Sequence, residues 1–472
     1  MHSKFLNNKT SFYILILLFL ISPNLLNKLN LIDNHEIFSN LNHFENYFDY
    51  FKGHPEIITN FTTSTYRPFF YSIRGIEFFL FEDNSIFYFL VRSLFFLIIC
   101  LNFYNISKIY LKSELHVILL SLLVCANPYS HDIFFRAGPQ EAFCLIFFSY
   151  ILLVLVRDFN HFKIPQDTKF FFYISTILMG LTKEPYVIFS IFFLLYSYFF
   201  SNQFKYSKII LFSLFFNFFL IFIIFTHYNL NGHTYGPESS YSLNSAITLL
   251  LNFFKISKIH NIFFVLQILL ISIMLKKISL KFLILIIFLN IFYFSNFILT
   301  NGWPIHRYFL IHIICIYFLL LSLLYFFEIS SNVSINIFFK NLIILFLIFS
   351  TIIYFNRAIK IIKLNQNFNH TIYNKVKLYD EIEIKNNLKK DGEYYLSLVI
   401  FIKNIHPKKI IIIKDEIKNE EFYIKKINYN NLYSIKFEKE KLVKSKMLKR
   451  SCFFLKELDS NDLCSGESII IN

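Results

Sequence analysis

Six ionisable residues sit at helix ends or in short connections of a very apolar chain: Arg67, Arg136, Lys183, Glu184, His306 and Arg307, with Arg74 two turns beyond Arg67. Keeping a charge at such a place costs on the order of 2.5 kcal/mol or more on membrane-insertion scales, which makes each a functional candidate. Arginine and lysine form charge-assisted hydrogen bonds to phosphate oxygens, arginine through a bidentate fork. A carboxylate can take the proton of an attacking group. Asp33, Glu36, Glu45, Asp49 and Glu56 crowd one segment whose only lysine is Lys52. An acidic segment facing several cations suits a group transfer in which an acceptor loses a proton and an anionic leaving group is held.

Hydropathy predicts the helices that carry these residues. Hydrophobic residues fill 56% of 472 positions and the mean hydropathy is +0.51. They fall in runs of about 18 or more, enough to cross roughly 30 Å of hydrocarbon. The pattern predicts an all-α polytopic membrane protein of about eleven spans, at 11–31, 86–105, 108–126, 139–156, 169–182, 185–203, 207–226, 260–275, 279–299, 308–327 and 339–356. The Phe12–Leu26 segment has no A-x-A-like cleavage site after it and reads as a retained first helix.

With Lys4 and Lys9 inside, the cytoplasmic loops carry Lys108 and Lys112; Arg157, Lys163 and Lys169; Lys205 and Lys208; and Lys276, Lys277 and Lys281, which satisfies the positive-inside rule. The candidate charges then come out together on the other face. They occupy a long first outer loop, 33–85, and shorter ones at 127–138, 183–184, 227–258 and 300–307. Within the first, Phe69 to Phe81 is apolar but broken by Arg74, Gly75 and Glu77, and reads as an amphipathic helix at the interface.

The net charge of +15 lies largely in short loops and a lysine-rich tail, so it points to orientation and solvation and not to nucleic acid. The 65 Phe, with abundant Ile, Asn and Lys, match an AT-rich coding sequence, so aromatic stripes carry little information. Residues 1–356 form the membrane domain. Residues 357–472 change to alternating Lys and Glu with short runs such as Lys409–Lys414 and Glu421–Ile424, which predict a small soluble α/β or β-rich domain on the outer side. Cys100, Cys125, Cys144 and Cys315 fall in spans as small apolar residues. Cys452 and Cys464 lie in the tail, where a disulfide between them is open. No CxxC, HExxH or Cys/His cluster suggests a metal.

The run Tyr66-Arg67-Pro68-Phe69-Phe70-Tyr71-Ser72-Ile73, then Phe79 to Asn84 and Phe87 to Arg92, resembles the YRP … LFG-N … YH-LVN region of GT-C membrane glycosyltransferases. The likeness is to the lipid-phosphate-mannose O-mannosyltransferases that carry tetratricopeptide repeats and to bacterial relatives. Asn127-Pro128-Tyr129-Ser130-His131 to Arg136-Ala137-Gly138 looks like their HP-H-E … AGR segment, and Leu181-Thr182-Lys183-Glu184 like their SKE motif. Trp303-Pro304-Ile305-His306-Arg307-Tyr308 is similar to the P-RY-LP entry of a late helix in related glycosyltransferases. The likeness covers about residues 11–320 and stops before the tail, which has no such repeat.

The resemblance implies a sugar transferase with a polyprenyl-phosphate-sugar donor, acting on the non-cytoplasmic face on an envelope lipid, glycan or protein acceptor, with inversion; because fixed cations can offset the charge, no metal or other cofactor is expected. The family's base is acidic and follows the first helix, often as an adjacent pair. Here that place reads Asp33-Asn34-His35-Glu36, so Asp33 is expected as the base with Glu36 second. Arg67, Arg74, Arg136, Lys183, Glu184, His306 and Arg307 are expected around the donor phosphate.

Other readings stay open. Arg67 and Arg74 can anchor a helix to lipid headgroups, and Arg92 can snorkel to the interface. Arg136, Lys183 and Glu184 can pair or cap. The whole chain can be a flippase of lipid-linked sugars, a glycan polymerase or ligase, or a scaffold for its tail.

Overall fold

Long apolar runs interrupted by proline and asparagine fold here as a set of helices packed side by side. The computed structural model describes residues 8–27, 45–54, 57, 66–82, 84–127, 130–204, 207–231, 309–329 and 344–356. It also describes 265, 267–272, 283–291, 337, 341, 358–359, 362–363 and 366, and four short strands.

The elements are α1 (Asn8–Ile21), continued by a 3-10 turn (Ser22–Leu26), then α2 (Tyr47–Gly53), α3 (Pro68–Phe81), α4 (Ser85–Tyr110), α5 (Glu114–Cys125) and α6 (His131–Phe134). There follow α7 (Glu141–Phe159), α8 (Gln166–Thr182), α9 (Pro185–Phe200), α10 (Lys208–Asn231) and α11 (Phe309–Ile329). A last helix, α12, spans Ile344–Asn356. Among the described residues three helices, Ser85–Tyr110, Glu141–Phe159 and Leu310–Glu328, are long and apolar enough to cross a membrane, as expected of a helical membrane protein.

Boundaries follow local chemistry. Pro68 and Pro185 open α3 and α9, where a missing N–H costs nothing. Asn46 and Asn84 cap α2 and α4 with their side-chain oxygens. The first helix stops short of the expected residue 31. Pro23 begins the 3-10 turn, and Asn24 Nδ2 turns to the Phe134 carbonyl at 3.0 Å. The expected start at 108 also moves: α4 runs on to Tyr110, and α5 begins only at Glu114. There Glu328 of α11 accepts from Lys112 N at 2.8 Å and Ser113 N at 3.3 Å, so a distant carboxylate does the work of a cap.

Helix α4 packs on α5 and α7, α7 on α8, α8 on α9, α9 on α10, and α11 on α5. One large apolar core runs through them, and a smaller one, with Tyr50, Phe70, Phe78, Phe89 and Phe143, lies beneath α3. Gly75 lets α2 approach α3, because a Cβ there would overlap the Tyr50 ring.

Tethers define two ends of the bundle. At one, Asn24 and Asn27 donate to the Phe134 and Phe135 carbonyls, both at 3.0 Å. At the other, buried Asp158 accepts from Ser201 Oγ at 2.7 Å, Asn202 N at 2.8 Å and Gln203 N at 3.0 Å. Glu328 belongs to the second end, so α11 opens at the first. The last helix closes at the first end too: His131 Nε2 donates to the Tyr354 carbonyl at 3.2 Å, and the two rings stack at 4.5 Å.

In the tail, Glu381–Lys385 pairs in parallel with Ile410–Lys414, and Leu442–Val443 pairs antiparallel with Ile469–Ile470. The expected strand at 421–424, Cys452 and Cys464 lie outside the described residues.

Candidate functional site

The end held by Asn24 and Asn27 gathers the candidate charges that are described. Thr182 closes α8, and Pro185 opens α9 three residues later. The two residues between them adopt opposite conformations, Lys183 extended (φ −159°, ψ 133°) and Glu184 helical (φ −53°, ψ −48°). Their side chains therefore diverge. Lys183 Nζ reaches Glu141 in the first turn of α7 and bonds its carboxylate. Glu184 accepts Arg67 Nε on both oxygens, at 2.8 and 2.9 Å. Lys183 and Glu184 thus pair with two other helices and not with each other. Lys183 and Glu184 are neighbours in the chain, so the two pairs share one place.

A second ionic group lies between α3 and α4. Glu77 accepts from Arg92 Nη1 at 2.9 Å, from Arg92 Nη2 at 3.0 Å and from Arg74 Nη1 at 2.5 Å. Both arginines are fully buried. Arg92 also donates from Nη2 to the Ala137 carbonyl at 2.6 Å and from Nε at 3.2 Å, and it lies 4.7 Å over the Phe143 ring. Arg74 lies 4.7 Å over Phe78. Three N–H groups from two guanidiniums thus compensate the buried Glu77 carboxylate. Arg92 ties α3, α4 and the segment before α7 together; it does not snorkel.

The same contacts correct the picture of α3 as a surface helix with its polar side to water. Arg74, Gly75 and Glu77 face inward and are buried, while Ile76 and Leu80 face out. Arg67 and Arg74 are both buried and paired, so neither reaches out to anchor the helix. Arg136 is half-buried in the bend before α7, next to the Ala137 carbonyl that Arg92 holds. Asp33, Glu36, His306 and Arg307 lie outside the described residues. The helix that follows the last two, α11, opens at this end of the bundle.

Two partners, Glu77 and Glu141, are not among the site residues that the sequence suggests. Glu77 had a local signal, three residues after Arg74 on one helix face. Glu141 had only its place in the first turn of a span, and nothing local joins it to Lys183, 42 residues away. Among the described residues no group of His, Cys, Asp and Glu could hold a metal ion.

Chemically, the Arg67–Glu184 and Lys183–Glu141 group balances two cations against two carboxylates. Glu184 is the more exposed carboxylate, with 17% of its side chain accessible against 0% for Glu141. An anion arriving here would exchange with Glu184 on the Arg67 guanidinium before it displaced the sealed Lys183–Glu141 pair. No protein-family model matches the chain, and no curated protein or solved structure matches it either.

Proposed function

We propose that this chain is an integral multi-pass membrane glycosyltransferase of about eleven spans that moves a sugar from a polyprenyl-phosphate-linked donor to a lipid, glycan or protein of the cell envelope. The reaction is assigned to the non-cytoplasmic face of the cell membrane, with the tail on that face. The observation that carries the reading is the meeting of Arg67–Glu184 and Lys183–Glu141 at one end of an apolar bundle, where cations can receive a lipid phosphate. The motif resemblance around Tyr66–Arg92 and Lys183-Glu184 supports the sugar as the transferred group.

In this scheme Asp33 takes the proton of the acceptor hydroxyl, with Glu36 in reserve. The hydroxyl oxygen attacks the anomeric carbon, and the carbon–oxygen bond to phosphate breaks with its electron pair going to the phosphate. Inversion follows from a single displacement. Arg67 and Lys183, joined by Arg136, His306 and Arg307, offset the charge of the leaving phosphate; the scheme calls for no metal.

The test compares envelope glycans and glycolipids by mass spectrometry in cells carrying the native chain, Asp33→Ala, Lys183→Ala or the control Leu94→Ala. Loss of one glycan class in the first two variants, but not in the control, is expected. Unchanged glycans at normal protein levels would overturn the proposal.

A further inference from the structure

Helix α3 is built inside out for a helix that borders water. Its inward positions are Phe70, Tyr71, Arg74, Gly75, Glu77 and Phe78, all buried. The outward ones, Ser72, Ile76 and Leu80, recur at helical spacing and are half-buried or exposed, Leu80 by 69%, while Phe69 edges onto Phe147 and half-buried Ile73 packs against the smaller core. No charge stands on that stripe. Its one hydroxyl, Ser72 Oγ, donates to the Pro68 carbonyl of its own helix at 2.6 Å and so needs no outside partner. A helix facing water would show the reverse arrangement, with its arginine and glutamate outward and its aliphatic residues on the bundle.

The stripe does not end with α3. Glu82, at a φ of 48°, turns the chain sharply, and Phe81 then stacks on Phe87 at 5.5 Å. Beyond it Ile86, Phe87, Leu90 and Leu94 of α4 are exposed by 47, 45, 47 and 49%. Among the described residues helix α4 is one of three helices long and apolar enough to cross a membrane, and in a bilayer this second stripe would meet acyl chains.

We infer that α3 is sunk into the bilayer, its Ile76 and Leu80 face against lipid acyl chains in continuity with the lipid face of α4. The Arg74–Glu77–Arg92 group is then sealed between α3 and the bundle, away from both lipid and water. This assignment does not depend on the transfer reading. One consequence does rest on that reading: the stripe leads to Arg67 at the start of α3, which gives the acyl tail of a lipid-linked donor a lateral approach to the ion pairs.

The experiment uses the full chain in phosphatidylcholine nanodiscs, with Trp303, the single tryptophan, changed to Phe. A reporter is placed by Leu80→Trp, by Ile76→Trp, or by Leu94→Trp on α4. Lipids brominated along the acyl chain are expected to remove most of the emission of all three, while aqueous iodide removes little. Strong iodide quenching of the Leu80→Trp and Ile76→Trp reporters, with weak bromolipid quenching and Leu94→Trp still quenched by bromolipid, would overturn the inference. Because the reading is optical, a chain without transferase activity would leave this result intact, and quenching by iodide would leave the transfer reaction untouched.

Discussion

Removing the Glu77 carboxylate is expected to be among the most damaging single changes in the described bundle. Two guanidiniums, Arg74 and Arg92, are fully buried, and three of their N–H groups donate to Glu77. Breaking a buried ion pair by deleting one partner costs about 3–5 kcal/mol, whereas an exposed pair is worth about 0–1 kcal/mol. Glu77→Ala therefore belongs at the upper part of the first range, since it strips two arginines at once. Glu77→Gln keeps one acceptor oxygen and should cost roughly half as much. Replacing Arg74, Glu77 and Arg92 together by Met, Leu and Met should cost less than Glu77→Ala alone, because no buried charge is left behind.

The chain supplies its own reporter for this series. Cys100, Cys125, Cys144 and Cys315 are all buried, so their reaction with a maleimide follows unfolding as the mole fraction of a denaturing detergent rises. Changing Cys452 and Cys464 to Ser removes the tail thiols from the signal. The reasoning is refuted if Glu77→Ala costs less than about 1 kcal/mol, the worth of an exposed pair, or if the triple replacement is the least stable of the set.

Three further outcomes follow from particular contacts. Gly75→Ala should cost about 1–3 kcal/mol by overpacking against the Tyr50 ring, with Tyr50→Leu in the same chain recovering part of it, as read by the same thiol assay. Burial lowers the His54 imidazole from 6.5 to about 4, where it stacks on Tyr71 at 4.4 Å. The unfolded chain binds that proton near pH 6.5 and the folded one only near 4, so stability should be full above 6.5 and fall by up to about 3 kcal/mol as the pH drops to 4; His54→Asn should flatten this slope. Glu328→Ala should cost about 1 kcal/mol and raise amide exchange at Lys112 and Ser113, which lose their acceptor.

Among the described residues, helices are legible where hydropathy, a local property, marks them. The expected starts at 86 and 185 fall within a residue of those of α4 and α9, which Asn84 caps and Pro185 opens. The first span was drawn too long, because the turn at Pro23 is held by Asn24 reaching Phe89, Ser93 and Phe134, contacts 65 to 110 residues away. Helix α2 falls inside the expected outer loop: seven residues with a single cap signal at Asn46 carry too little periodicity to stand out, and its Tyr50 is fixed by α3.

For the site, residue type alone singled out Arg67, Arg74, Arg136, Lys183 and Glu184, since charge in an apolar chain is conspicuous one residue at a time. Partnership is not. Only the fold sends Lys183 to Glu141 and Glu184 to Arg67, through one extended residue followed by one helical one. The direction of α3 depends on the same contacts. Arg74 and Glu77 mark a polar side of an amphipathic helix, and the pattern alone leaves open what that side meets. Arg92 of the next helix supplies the counter-charges and hydrogen bonds that make burial the cheaper choice. Composition and hydropathy suffice to show an apolar, helical chain punctuated by costly charges. Which charges compensate one another, and which face of α3 turns outward, depends on the packed fold, because electrostatic energy depends on distances that chain order does not specify.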